Sequence, residues 1–205
     1  MAELPEVRIA VLSATTPGEI ADLPDAPLGE GPIATSLRER GLASYHDACR
    51  FIQALPYARA QSWSTVIAEG RGTCNSKHAL LVMLARELGL RSVQLGLGMF
   101  ELSGEGFPAV ARVLAEAGIP CMLEAHCYLV VGRKRVDLTW PSDQAVPHPR
   151  FLHEQVIEPS ELPEGKVRRH RSYLETWLVK QGWGMSVDRA WVIREACIAA
   201  LSQPS

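Results

Sequence analysis

The residues best suited to chemistry lie in the run Gly70-Arg71-Gly72-Thr73-Cys74-Asn75-Ser76-Lys77-His78. A cysteine acts as a nucleophile when its thiol ionises near neutral pH and a substrate can reach it. The head of a helix favours ionisation, because unpaired N–H groups and the positive end of the helix dipole stabilise a thiolate. The same N–H groups can hold a carbonyl oxygen as it gains negative charge. Gly70 and Gly72 let the chain turn sharply into that helix and leave room beside the sulfur. The competing reading of Cys74 is a small apolar residue packed in a helix cap, the common fate of a free cysteine. Cys49, Cys121, Cys127 and Cys197 lack this setting and read as packing residues.

A thiol nucleophile works with a base, and the base with a group that orients it. His126 lies in the β-rich run Ala125–Val131, and Asp137 in the next one, Arg135–Trp140. Side chains alternate along a strand, so a turn of two or four residues around Gly132-Arg133 puts His126 and Asp137 on one face. A three-residue loop puts them on opposite faces. The sequence leaves both open. The plainer account makes Asp137 an edge-strand partner of Lys134 or Arg135 and His126 a half-buried filler. Asn75 and His78, beside Cys74 on the helix, are further candidates to contact a substrate or, for His78, to steady the thiolate. Lys77 shares the helix side with Cys74 and could take either role, but reads first as part of a solvated polar turn.

These residues need elements to hold them. Ser44 and Asp47 cap a helix with Ala48, Phe51, Ile52 and Leu55 at helical spacing, which Pro56 stops. The helix after Gly72 takes Thr73 as its cap and Gly89 as its exit. Its middle is apolar on every side, so it is expected to be central and buried. Strands follow over Ser92–Met99, Met122–Val131 and Arg135–Trp140, with a short helix over Phe107–Ala117. A polar, Pro-containing stretch, 141–163, leads to helices over about 164–181 and 187–201. Before residue 44 the chain reads as a Pro- and Gly-rich loop, apart from a short strand at Val7–Leu12. The expectation is one α+β domain of 205 residues, with its core at about 44–140 and a helical C-terminal extension over 141–205.

Composition narrows the function classes. With 47% hydrophobic and 21% charged residues the chain can bury a core, and a net charge of −2 gives no footprint for nucleic acid. The basic run Arg168-Arg169-His170-Arg171 reads as a solvated helix face. No apolar stretch approaches the roughly 18 residues of a membrane span. Five widely spaced cysteines and no secretory signature point to free thiols in the cytoplasm.

Taken together, the stretch from about Ile52 to Trp140 resembles the transglutaminase-like superfamily of papain-like thiol enzymes, which includes transglutaminases, peptide N-glycanases and many bacterial proteases. The resemblance rests on Leu55-Pro56-Tyr57, Gly70-Arg71-Gly72-Thr73-Cys74, the apolar helix ending at Gly89, Ala125-His126, and Val136-Asp137-Leu138-Thr139-Trp140. It implies a central helix carrying the Cys, packed on an antiparallel sheet. It also implies that Cys74 attacks an amide or ester carbonyl, His126 shuttles the proton and Asp137 holds the imidazole. The substrate would be a peptide or small-molecule amide or acyl compound, with no cofactor and no metal. Trp63 and Gln61 stand where the family places an oxyanion donor. Asn75-Ser76 depart from the aromatic residues that follow the Cys in eukaryotic transglutaminases, and Cys127-Tyr128 from the Trp of many relatives.

Three other readings compete. An arylamine N-acetyltransferase also uses Cys, His and Asp, but Arg71-Gly72-Thr73-Cys74 is one residue short of its entry pattern. A zinc module would draw on Cys74, His78, Cys121, His126 and Cys127, whose spacings match no compact zinc motif. A catalytically inactive domain would keep the fold for binding alone. A specificity pocket is expected from the N-terminal loop, the Gly104-Glu105-Gly106 turn and the chain after Trp140.

Overall fold

The computed structural model describes residues 15–142 and 149–202, which form an α+β structure of seven α-helices and one mixed five-stranded sheet. In chain order these are β1 (Thr16–Gly18), α1 (Pro32–Arg38), α2 (Tyr45–Ala54), α3 (Val66–Glu69), α4 (Cys74–Glu87), β2 (Gln94–Ser103), α5 (Ala111–Ala117), β3 (Cys121–Val131), β4 (Lys134–Val136), β5 (His153–Ile157), α6 (Glu164–Gln181) and α7 (Val187–Leu201). The sheet order is β1-β4-β3-β2-β5, antiparallel throughout except for the β1–β4 pair. The strand expected at Val7–Leu12 lies outside the described residues.

Local chemistry explains the helix ends. Ser44 and Asp47 close a reciprocal box on α2, with Asp47 N–H to Ser44 Oγ at 3.2 Å and Ser44 N–H to Asp47 Oδ2 at 3.1 Å. At α4, Thr73 is extended and donates its N–H to Ser76 Oγ at 3.0 Å, while Gly89 leaves the helix at φ +75°. Leu80, Leu81, Val82, Leu84 and Ala85 are all at most 1% exposed, with β2, β3, α1 and α2 packed around them. Each such buried leucine contributes about 1.5–3 kcal/mol by leaving water, so α4 is the strut on which the core is built.

Besides the short β1 and α3, which were not expected, three elements differ for a clear physical reason. Helix α1 forms where a loop was read, because its first-turn donors are met from far along the chain: Ile33 and Ala34 N–H reach the Glu87 carboxylate at 3.2 and 3.1 Å. Gly31 makes room for that carboxylate, since a Cβ there would fall 2.4 Å from Glu87 Oε2. Strand β5, inside the polar stretch, is held by the ladder it completes on β2. The strand expected over Arg135–Trp140 stops at Val136, because the backbone beyond it bonds to side chains of α4.

Lys77 corrects the expectation of a solvated turn. Its side chain is fully buried, and its ammonium donates to the carbonyls of Leu55 (2.6 Å), Thr139 (2.8 Å) and Gln53 (3.2 Å). Burial pulls its pKa down to about 8, which still leaves it charged at neutral pH. One side chain thus ties the end of α2 and the chain after β4 to the first turn of α4. Lys77→Met is expected to leave three carbonyls without their donor and to cost about 2–5 kcal/mol. Urea denaturation checks this, as a lowered midpoint at unchanged slope.

Candidate active site

The β3–β4 connection is a two-residue loop, Gly132-Arg133, with Gly132 at φ +56°. The ladder pairs Leu129 with Val136, so the next position outward sets Asp137 across from Tyr128, on the face His126 shares. The open question of parity is thereby answered: His126 and Asp137 are diagonal neighbours, with Nε2 and Oδ2 2.7 Å apart. The other carboxylate oxygen accepts from Thr139 N–H at 3.0 Å and Thr139 Oγ1 at 2.6 Å. With Nε2 committed to Asp137, the second ring nitrogen of His126 is left free for the thiol, and the Cys74 sulfur is near enough to raise the pKa of the ring.

Helix α4 sets the height of this arrangement. His78 is fully buried, with Nδ1 2.8 Å from the Cys74 carbonyl and Nε2 accepting the Leu138 N–H at 2.8 Å. That pattern fixes the Nδ1–H tautomer, and burial lowers the pKa to about 4, so the ring is neutral. His78 is therefore no substrate contact, contrary to expectation. Both its nitrogens are spent holding Leu138, the neighbour of Asp137, to the residue that bears the thiol. They are equally unavailable to the zinc set considered from the sequence.

Burial opposes ionisation of Cys74, but the charges of Lys166 and His126 overcome it and draw the thiol down to about 7. Burial likewise works against the imidazolium of His126, yet Asp137 and Cys74 raise its pKa to about 10. Asp137 is held well below the carboxylate range, against burial, by the same imidazole. Near pH 7 the imidazolium and the carboxylate are charged and the thiol is about half ionised, the thiolate taking over as pH rises. Burial pushes Cys49 and Cys127 up to about 12, and Cys121 and Cys197 to about 11.

Cys74 is only 6% exposed, but it lies on the walls of two cavities. The larger, about 360 Å³, includes Gln61, Trp63 and Asn75, so three of the candidate substrate residues face one space beside the thiol. The smaller, about 40 Å³, is bounded by His126, Asp137, Phe100, Phe107 and Trp140. Trp140 stacks on Tyr57 at 4.3 Å, and Phe151 on Tyr128 at 5.0 Å, with His126 alongside Phe151 at 6.4 Å. Gly98 permits this wall, since a Cβ there would sit 2.4 Å from the Phe151 ring.

Of the specificity walls expected, the chain after Trp140 is present. The Gly104–Gly106 turn lines neither cavity, and after Trp140 the larger one is walled mainly by α6 and α7. Lys166, His170, Arg194 and Glu195 line it and were not singled out from the sequence. The basic run on α6 is not wholly a solvated face: His170 is 1% exposed, with Nε2 3.0 Å from the Leu123 carbonyl. The signal lay in spacing, since Lys166, His170, Leu174 and Trp177 fall on one helical stripe and all are buried.

Iodoacetamide at pH 7 is expected to modify Cys74 at least about tenfold faster than any other cysteine, because the others hold their protons until far higher pH. Peptide mass spectrometry reads this; equal labelling of Cys74 and Cys121 would contradict it. Comparison of the chain with protein-family models, curated proteins and solved structures gives no match.

Proposed function

We propose that this protein is a thiol-dependent acyl-transfer enzyme with a transglutaminase-like core, acting on amide or ester carbonyls through Cys74, His126 and Asp137. The observation that supports this most is the 2.7 Å His126–Asp137 contact beside the one thiol among the described cysteines whose pKa is lowered. In this reading the Cys74 sulfur forms a bond to the carbonyl carbon, and the carbonyl π pair moves onto oxygen. N–H groups at the head of α4 are oriented to receive that charge. His126 gives its proton to the departing amine or alcohol as the C–N or C–O bond breaks, leaving a thioester on Cys74. Water or an amine then attacks the thioester, losing its proton to His126, and the thiolate returns. Asp137 keeps the ring in one orientation and stabilises its charge throughout. Asn75, Gln61 and Trp63 are placed to contact the acyl group.

The test is a screen of activated esters and amides, with the thioester on Cys74 trapped by mass spectrometry. Cys74→Ala should abolish turnover, and His126→Ala should lower kcat/KM by about 10²–10⁴. Absence of any Cys74 thioester across ester, anilide and peptide-amide donors would sink the reading. The pH profile follows from the two shifted groups. Activity falls as pH drops through about 7, where the thiolate takes up a proton. It falls again as pH rises through about 10, where the imidazolium loses the proton that the leaving group needs. A profile with a single limb near the ordinary histidine value would contradict this assignment.

A further inference from the structure

Helix α6 brings a second cation to the thiol. Lys166 is 5% exposed, and its Nζ lies 3.9 Å from Cys74 Sγ and 2.6 Å from Asn75 Oδ1. In its protonated form Cys74 Sγ donates to Asn75 Oδ1 at 3.3 Å, so sulfur, amide oxygen and ammonium close a small triangle in which only the ammonium can donate to a thiolate. Burying an ammonium without a counter-charge is costly, and the usual remedy is an ion pair. No ion pair among the described residues includes Lys166. The nearby carboxylates are taken: Glu124 receives Arg194 through two contacts of 2.6 Å, and Glu195 receives Arg194 and Arg59 at 2.6 and 2.5 Å.

The other titratable groups around the sulfur are equally committed. On β3, His126 is bound to Asp137. The Cys127 thiol is pushed up to about 12 by burial, and Tyr57 is held far above its usual range for the same reason. On α4, Lys77 serves three carbonyls, and His78 is neutral. On α6, His170 is lowered to about 4 by burial, so it too is uncharged at neutral pH. Glu124 also feels the charge of Lys166, but it is already bound twice to Arg194; the sulfur, 3.9 Å away, is the acidic group in direct contact with the ammonium.

We infer that Lys166 is a further catalytic residue, the second counter-ion of the Cys74 thiolate, brought to the sulfur by α6. This rests on the proposed thiol chemistry but adds a residue from outside the stretch that resembles transglutaminases. The thiolate is then held by two cations, only one of which gives up a proton during turnover. Once His126 has protonated the leaving group the sulfur is a neutral thioester, and Lys166 keeps its charge for the thiolate that departs when the thioester is resolved. Burial raises the thiol pKa, and Lys166 is the foremost group opposing that, which agrees with the geometry.

The experiment is the pH dependence of Cys74 alkylation in the full chain carrying Lys166→Met, Lys166→Gln or Lys166→Arg. The two neutral variants should raise the apparent pKa of Cys74 by about one unit or more, and slow alkylation at pH 7 by about fivefold or more. Lys166→Gln can still donate to Asn75 Oδ1, so a shift shared with Lys166→Met reports charge rather than packing. Lys166→Arg should restore the rate to within about threefold of wild type. A folded neutral variant that titrates Cys74 like the wild type overturns the inference. Should neither fold, the wild-type protein answers through the ¹⁵Nζ resonance of Lys166, which must shift on titration or alkylation of Cys74. A resonance indifferent to both overturns it as well. Alkylation reads the thiolate and not turnover. A Lys166-dependent thiolate without any thioester therefore fails the proposed function alone, and turnover with a Lys166-independent thiolate fails only this inference.

Discussion

The buried ammonium of Lys77 is the interaction on which the rest depends. It gathers carbonyls from Gln53, Leu55 and Thr139 around the first turn of α4, while the adjacent His78 fastens Leu138 to the carbonyl of Cys74. Two side chains next to the thiol-bearing residue thereby fix where the chain must run after β4. Asp137 lies between these anchored residues and the ladder. Its carboxylate therefore meets His126 without a strand to carry it.

The same economy governs charge. Around Cys74 almost every ionisable group is committed to a named partner: Glu124 to Arg194, Glu195 to Arg194 and Arg59, Asp137 to His126 and Thr139. Broken singly, the buried Glu124–Arg194 pair leaves an uncompensated charge worth about 3–5 kcal/mol, whereas the Arg59–Glu195 pair is exposed and worth far less, so the inner wall of the larger cavity cannot readily rearrange. The orientation of each follows from the others.

Much of this was legible in the sequence. Helix ends marked by Ser44 with Asp47, Thr73, Gly89, Gly182 and Ser186 depend on neighbours a few residues away, and both final helices begin and end where their local signals place them. The adjacency of His126 and Asp137 turned on one unknown, the length of a loop at Gly132. What was not legible depends on distant partners. Helix α1 relies on Glu87, β5 on β2, and the roles of Lys77 and His78 on carbonyls and an amide up to 62 residues away. Lys166 was hidden differently: its stripe on α6 was visible, but a lysine on a charged helix gives no sign of facing inward until the sheet beneath it is placed.

Helix α1 has only seven residues, too few to hold together as an isolated helix in water. Its first turn is completed by Glu87, at the opposite end of α4 from Cys74. The chain is thus synthesised with α1 before the residue that makes α1 possible. Until some fifty further residues have emerged and α4 has formed, the segment has no structure of its own to defend. The first turn of α1 therefore takes its completed form only with the far end of α4 beside it, although it precedes α4 in the sequence.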